Sequence, residues 1–93
     1  MNKYLLDVYN PFKVEFLYGK GSTLFDKKGN DYIDFTSGIG VSCLGHGNKK
    51  LVETISKQAK MLLHFANIYP INTQEECAKK VAALSGYKNM QGF

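Results

Sequence analysis

The chain has 93 residues, enough for one small domain, and a domain of that size buries only about 60% of the surface that its unfolded chain exposes. An enclosed active site is therefore not expected from these residues alone. The net charge of +4 comes from 12 lysines against 8 acidic residues, and no arginine is present to give the planar, two-pronged recognition that carboxylates and phosphates usually require.

The distribution of charged and apolar residues argues against two further classes of partner. The pairs Lys27-Lys28, Lys49-Lys50 and Lys79-Lys80 are separated by acidic residues, which is typical of solvated faces and not of nucleic-acid binding. No apolar run approaches the roughly 20 residues of a membrane span, and the first residues lack the apolar core of a signal peptide. We expect a cytoplasmic protein without a metal site, with Cys43 and Cys77 as free thiols.

Three short strands are predicted in the first part of the chain. Residues 13–18 alternate in the period of a strand, and the glycine-containing residues 19–22 are expected to end it. A second strand at 23–25 leads into a turn at 26–30, which has the aspartate and glycine that tight reversals prefer. A third strand follows at 31–35. Together they predict an antiparallel meander that needs another surface to cover its apolar face, with Phe16, Tyr18 and Phe35 in the core.

A glycine-rich loop at 36–48 follows, and its four glycines within ten residues indicate a backbone that turns or approaches something closely. The loop does not fit a dinucleotide-binding pattern, because Gly38 and Gly40 would require a glycine where Cys43 stands. For His46, a hydrogen-bonded histidine that fixes the loop is favoured over a general base or a ligand.

Two helices are predicted in the second half. Asn48 is placed to cap a helix that runs to about His64, whose ring would complement the terminal carbonyl groups. Thr73 and Glu76 are spaced as a capping box for a second helix, which Gly86 would stop. Strands followed by helices indicate the α+β class, and their apolar faces exceed what so short a chain is expected to cover.

Two tyrosines and the tail fall outside these periodic segments. Tyr9 and Tyr69 each lie beside a loop that contains proline, where an apolar ring with a polar tip is suited to lining a cleft. The tail at 88–93 has the character of an approach to another strand, as if the chain continued.

The run from Gly19 to His46 contains, in order, a glycine pair, an aspartate, a glycine, a Tyr-Ile-Asp-Phe strand, a Gly-Ile-x-Val loop and Leu-Gly-His. This run resembles the opening signature of class III aminotransferases. The run 67–69 (Asn-Ile-Tyr) and the tail 90–93 (Met-Gln-Gly-Phe) resemble what precedes the family's phosphate-binding motif. The resemblance spans essentially the whole chain and about the first quarter of a family member.

The resemblance implies the amino-terminal part of the fold-type-I α/β fold of transferases that depend on pyridoxal phosphate. Residues 1–70 would be the amino-terminal segment with meander, loop and long helix, and residues 71–93 the first helix and start of the large cofactor-binding domain. The family's Schiff-base lysine, cofactor-pairing aspartate, phosphate loop and substrate arginine are expected beyond Phe93. No catalytic or cofactor-binding residue is therefore assigned here, and the chain alone is not expected to be active or to bind the cofactor. The implied partners are the remainder of the same polypeptide, a second subunit in a homodimer, and amino-acid and 2-oxo-acid substrates.

Within the class, Gly-Ile-Gly-Val resembles the acetylornithine and succinylornithine branch, whereas ornithine aminotransferases have a tyrosine where Ile39 stands. By the same resemblance, Tyr9, Gly38 and Ile39 are substrate-binding residues. Asn67 and Tyr69 belong to a segment near the dimer interface and cleft. The implied reaction is transfer of an amino group from N-acetylornithine to 2-oxoglutarate, in arginine biosynthesis.

Two other interpretations of the function remain open at this point. One is another class III enzyme acting on succinylornithine, succinyldiaminopimelate, 4-aminobutyrate or ornithine. A different class is a non-catalytic binding or assembly module, which applies if 93 residues are the whole product. One departure from the family pattern is Lys49, which stands where many members have a proline that presets the first helical turn, so the change touches stability more than chemistry.

Overall fold

The computed structural model describes residues 4–91, and it confirms the α+β class. Its elements, in chain order, are β1 (Phe16–Lys20), β2 (Thr23–Asp26), β3 (Asp31–Ile33), α1 (Ser37–Gly40), α2 (Lys49–Met61) and α3 (Asn72–Ser85). Two compact units, Met1–Lys57 and Gln58–Phe93, divide the chain. The end of the predicted tail, Gly92 and Phe93, lies outside the described residues.

The three strands form one antiparallel sheet in the order β1-β2-β3, as the meander prediction requires. β1 lies further along the chain than the predicted strand 13–18, and Gly19 pairs with Leu24 inside the sheet instead of ending the strand. The reversal comes later, at Gly21, whose φ of 59° suits the first position of a two-residue hairpin turn. A two-residue turn is sufficient here, and this leaves the preceding glycine free to pair.

The turn between β2 and β3 is confirmed. The Gly29 amide donates to the Asp26 carbonyl oxygen at 3.1 Å. The Asp26 carboxylate accepts hydrogen bonds from the Lys28 amide at 2.8 Å, from the Asn30 amide and side chain at 2.9 Å each, and from the Tyr32 hydroxyl at 3.1 Å. These donors, the Asn30 side chain first, hold the pKa of Asp26 below its ordinary value.

The aromatic residues of the meander are not in a core. Phe16, Tyr18 and Phe35 are 44%, 59% and 90% exposed, so the core prediction for them is wrong for this chain. The reason is that the described residues of the sheet's own unit place no second layer on it. The rings instead pack against sheet neighbours: Phe16 meets Tyr32 edge to face at 5.4 Å between centroids, and Tyr18 stacks on Phe25 at 4.6 Å.

The start of α2 is confirmed, and its predicted end is wrong. Asn48 Oδ1 accepts a hydrogen bond from the Leu51 amide at 3.0 Å, which satisfies one of the free donors of the first turn. The helix ends before His64. The Gln58 side-chain amide donates to the Leu62 carbonyl oxygen at 3.0 Å, so a glutamine from within α2 takes the capping role that was predicted for the histidine.

The predicted capping box of α3 is also wrong. The residue before the helix, Ile71, is extended and makes no side-chain cap, and α3 begins one residue before Thr73. Thr73 therefore already lies inside the first turn, where its hydroxyl is not placed to cap, and Glu76 accepts instead from the Asn72 side chain at 3.2 Å. The predicted stop is confirmed, because Gly86 has a left-handed backbone with φ of 73°.

No residue of the described range 4–91 is buried, which confirms that the chain does not cover its own apolar faces. The exposed apolar residues of the two long helices include Leu51, Val52, Ile55, Val81 and Leu84. Cys43 and Cys77 are free and exposed, as predicted. Within the same range, no helix combines the length and apolar composition needed to cross a bilayer.

Candidate functional site

The loop that follows β3 contains a left-handed turn. Ser37, Gly38, Ile39 and Gly40 have φ values of 50°, 61°, 66° and 76° in succession. The amides of Ile39 and Gly40 both donate to the Thr36 carbonyl oxygen, at 2.8 and 3.1 Å. Glycine adopts positive φ readily, but a β-branched residue such as isoleucine rarely does. The element α1 is therefore a strained turn, and its surroundings must hold it in place.

A single carboxylate, that of Asp34, holds the start of this turn. Its Oδ1 atom accepts from the Ser37 amide at 2.8 Å and from the amide and hydroxyl of Thr36 at 3.1 and 3.0 Å. Its Oδ2 atom lies 2.7 Å from Nε2 of His46. The Ser37 amide, then the His46 and Thr36 side chains, lower the pKa of Asp34 to about 2. Because the carboxylate is ionised and can only accept, His46 Nε2 must carry the proton in this hydrogen bond.

His46 also fixes the loop to the sheet. It forms an isolated antiparallel bridge with Gly21, with backbone hydrogen bonds of 2.9 and 2.8 Å. Its ring packs against Gly19 so closely that a Cβ atom there would lie 2.5 Å from the ring carbon Cγ. At Gly45, an added Cβ would lie 2.9 Å from the Gly21 carbonyl oxygen. The glycines of this region therefore permit close backbone approach, which fits the sequence prediction.

The prediction that His46 is a hydrogen-bonded residue fixing the loop is confirmed, whereas its partner was missed. Asp34 directly follows β3 and precedes a Thr-Ser pair, a pattern in which a short carboxylate often bonds to the amides two and three residues on. That pattern also explains why β3 ends at Ile33 rather than at residue 35: the Asp34 side chain captures the next amides.

The predicted site residues fall into three places. Gly38 and Ile39 lie together in the left-handed turn, and Ile39 is 94% exposed. Asn67 and Tyr69 share a turn in the second unit, where the Tyr69 amide donates to the Ala66 carbonyl oxygen at 3.1 Å. Tyr9 is exposed in the irregular segment before β1, and among the described residues of its own unit no hydrogen bond joins its side chain to the left-handed turn.

The second unit contains a mainly apolar cavity of about 350 Å³ between the end of α2 and the start of α3. Leu62, Leu63, Phe65, Pro70 and Ile71 supply its apolar wall. His64, which does not cap α2, lines it as well. No lysine or carboxylate is among the lining residues, so this cavity has no amine that could form a Schiff base with a carbonyl substrate, and the His64 imidazole and the Thr73 hydroxyl are its reactive groups.

Comparison with known proteins gives the class of the molecule. The sequence model of the family described as aminotransferase class-III matches residues 7–92. The chain belongs to the class-III aminotransferase family.

The relatives within that family include acetylornithine aminotransferases. The acetylornithine aminotransferase of Wolinella succinogenes is 48% identical over 85 residues, which are 91% of this chain and 22% of that protein. Among solved structures, acetylornithine aminotransferase from Elizabethkingia anophelis matches with a TM-score of 0.86 at 28% identity, over 92% of this chain and 22% of that one. The ornithine aminotransferase from Toxoplasma gondii, whose active site is partly occupied by pyridoxal phosphate, has the same TM-score at 26% identity, over 92% and 20%.

This chain thus spans about a fifth of the length of the relatives it matches.

Proposed function

We propose that this chain is the amino-terminal portion of an aminotransferase that transfers an amino group from N-acetylornithine to 2-oxoglutarate, a reaction of arginine biosynthesis. The observation that carries the proposal is the 48% identity over 85 residues with an acetylornithine aminotransferase. Residues 1–70 form the amino-terminal segment in this proposal, and residues 71–93 begin the large domain.

Ile39 is the residue that supports the substrate assignment beside that sequence identity, since the fold does not choose between substrates. Structures of an acetylornithine and an ornithine aminotransferase match this chain with the same TM-score of 0.86. Ile39 presents an exposed apolar branch at the strained turn. Such a side chain offers no hydrogen bond to a free amine but gives an apolar wall for an acylated one. The proposal therefore favours N-acetylornithine over ornithine, with succinylated diamines and 4-aminobutyrate as the nearest competitors.

Pyridoxal phosphate is the proposed cofactor, and the residues described here do not form a site for it by themselves. The cavity of the second unit lacks a lysine, and three of the five charged residues that line the notch of about 300 Å³ beside the β2–β3 turn are engaged within the chain itself. In that notch Lys27 pairs with Glu15, and the Asp26 carboxylate is occupied by turn donors. We place the cofactor-holding residues in the remainder of the polypeptide, where the bound cofactor supplies an electron sink.

The roles proposed for this chain's own residues are in binding and assembly. Tyr9 lies over the substrate, Gly38 and Ile39 form the mouth of the cleft, and Asn67 and Tyr69 lie near the interface of a homodimer. The uncovered apolar side chains of the described residues support contacts with the rest of the polypeptide and with a second subunit. A cytoplasmic location is proposed with them, and the two free, exposed thiols fit a reducing compartment.

The test is a transamination assay of the full-length enzyme with 2-oxoglutarate and five amino donors: N-acetylornithine, N-succinylornithine, succinyldiaminopimelate, 4-aminobutyrate and ornithine. N-acetylornithine should give the highest kcat/KM. A higher kcat/KM for another donor would mean that this donor, and not N-acetylornithine, is the substrate. Absence of transamination with all five donors would favour a non-catalytic module.

Exchanging Ile39 tests the specificity role directly. Ile39→Tyr should shift the kcat/KM ratio toward ornithine by roughly ten to two hundred fold, because the phenol can hydrogen-bond a free amine and crowds the acyl group. Ile39→Phe is the matched control, since it adds the same ring without the hydroxyl, and it should lower activity on N-acetylornithine without a comparable gain on ornithine. An unchanged ratio with both variants would mean that Ile39 does not contact the substrate.

A further inference from the structure

The left-handed turn at 37–40 is a conformation that its own sequence does not favour. Ser37 and Ile39 are not glycines, yet both have positive φ, and Ile39 is β-branched as well. Hydrogen bonds to the Thr36 and Ser37 carbonyl oxygens close the turn, but such bonds alone are available to many loop conformations. Something outside the turn must therefore select this conformation and hold it.

The selection comes from a pair of side chains that hold the two ends of the loop. Asp34 binds the first amides of the turn, and His46, at the far end of the loop, binds the same carboxylate. The Asp34 side chain is 6% exposed and that of His46 is 29% exposed, so the carboxylate is well shielded from water and the ring is partly shielded. A charge-assisted bond to such a carboxylate is strong and directional. It closes the loop into a ring with Ile39 between its two fixed ends.

The same histidine connects this ring to the sheet. Its backbone bridges Gly21, and its ring lies against Gly19, where no Cβ could fit without displacing it. The position of Ile39 is thus linked through His46 to the β1–β2 hairpin. None of these contacts involves Ile39 itself, which leaves its side chain available for a ligand.

We propose that Asp34 and His46 are positioning residues for substrate discrimination: together they fix the left-handed turn, and through it the place of Ile39 relative to an acylated amino donor. This inference rests on the proposed function for the identity of the substrate. The structural half, that the pair holds the turn, does not depend on it.

A purely structural role for the pair makes a different prediction. If the pair only stabilised the enzyme, its loss would lower the amount of active enzyme and reduce kcat equally for every donor. If it positions Ile39, its loss should raise KM for N-acetylornithine more than it lowers kcat, and should change the ratio of the two donors. A displacement of about 1 Å can cost up to roughly a hundredfold in rate, so a change of about ten- to a hundredfold in that ratio is expected.

The first variant is Asp34→Asn in the full-length holoenzyme, with Asp26→Asn as its matched control. Both aspartates accept several turn amides at the end of a strand, but the Asp26 cluster lies in the β2–β3 turn and does not touch the loop. Asp34→Asn should shift the ratio of kcat/KM for N-acetylornithine over ornithine, whereas Asp26→Asn should leave it unchanged. Equal, donor-independent losses in both variants would overturn the proposal.

Hydrogen–deuterium exchange of backbone amides supplies a readout that needs no activity. Asp34→Asn should speed exchange at the amides of 36–42 and leave 28–32 unchanged, and Asp26→Asn should do the reverse. Wild-type enzyme that does not use N-acetylornithine would reject the proposed function, and the exchange pattern would still decide the structural half. Unchanged exchange at 36–42 in Asp34→Asn would reject the positioning role whatever the substrate.

The second variant, Gly19→Ala, displaces the His46 ring without altering the carboxylate. Its added Cβ would lie 2.5 Å from Cγ and 2.8 Å from Cδ2 of that ring, so the ring must move. It should reproduce the shift in donor ratio and the faster exchange at 36–42. His46→Gln keeps a hydrogen-bond donor toward Asp34, so its shift in donor ratio and its increase in exchange at 36–42 should both be smaller than those of Gly19→Ala. Failure of Gly19→Ala and Asp34→Asn alike to yield folded holoenzyme would count against the proposal, because the pair would then be required for folding itself.

Discussion

The backbone strain at Ile39 can be measured by comparing two substitutions at the same position. Ile39 has φ 66° and ψ 50°, a left-handed conformation that costs an L-residue with a Cβ atom about 1–2 kcal/mol. Glycine escapes that cost but loses about 0.5–1 kcal/mol more conformational entropy on folding than alanine does. We therefore expect Ile39→Gly to be more stable than Ile39→Ala by about 0.5–1 kcal/mol, the reverse of the usual order.

A matched control lies two residues further along the same loop. Val41 is also exposed, but its φ of −107° and ψ of −21° are ordinary for any residue. There the usual order should hold, with Val41→Gly less stable than Val41→Ala by about 0.5–1 kcal/mol. If the difference in stability between the glycine and alanine variants has opposite signs at positions 39 and 41, backbone conformation is its cause, because both residues are exposed and lie in the same loop.

The assay is urea denaturation of the full-length enzyme at a fixed cofactor concentration, since bound cofactor shifts apparent stability by mass action. The urea concentration at the unfolding midpoint should change, whereas the dependence of the unfolding free energy on urea concentration should stay the same. Both Ile39 variants should lose activity toward N-acetylornithine to a similar extent, since each removes the apolar branch. The two variants would then differ in stability but not in activity. Ile39→Gly less stable than Ile39→Ala would refute the reasoning, because it would mean that position 39 is not left-handed in the enzyme.

The glycine contacts, the Asp34 carboxylate and the exposed apolar faces each lead to a further expected outcome. Gly45→Ala should destabilise the enzyme by about 2–4 kcal/mol in thermal melts, because φ is 74° and the new Cβ would lie 2.9 Å from the Gly21 carbonyl oxygen. Gly29→Ala is the control: its φ of 82° is similar, but the new Cβ would meet open space, so it should cost only about 1–2 kcal/mol. Asp34 has a lowered pKa, so its contribution to stability is present above about pH 4 and should be lost as pH falls toward 2. Protection of the amides at 36–42, measured against the intrinsic exchange rate at each pH, should fall over that window, and an Asp34→Asn variant should show no such step. The 93-residue chain alone should bind a hydrophobic dye and melt without cooperativity, and a sharp two-state transition of a monomer would contradict this.

The sequence predicted the order of elements well because short-range signals determine it. The alternation of strand residues, the Asp26 to Gly29 turn, the Asn48 cap and the Gly86 stop all act within a few residues. Boundaries were less predictable where two local signals compete. Gly19 looked like a strand breaker, but a turn starting at Gly21 serves the reversal and leaves Gly19 in the ladder.

Features that depend on distant residues could not be predicted in the same way. The bond between Asp34 and His46 joins residues 12 positions apart, and only the folded loop shows that they meet. The left-handed turn was signalled at Gly38 and Gly40 but not at Ile39, since isoleucine gives no local indication of positive φ. The expected core positions failed for a related reason: periodicity shows which face is apolar, not which layer covers it.

A chain without a single buried residue in its described range can still hold one loop in a defined conformation, because global stability and local loop geometry have different sources. Global stability needs buried apolar area, which these residues do not supply by themselves. The loop instead takes its order from charge-assisted hydrogen bonds at Asp34 and from close glycine contacts around His46, which act over a few ångströms. We propose that Ile39 contacts the substrate, and on such a loop it should keep its geometry when the apolar faces around it are repacked. Substrate preference at Ile39 should therefore respond to changes in the Asp34–His46 pair more strongly than to substitutions on the exposed faces of α2 and α3.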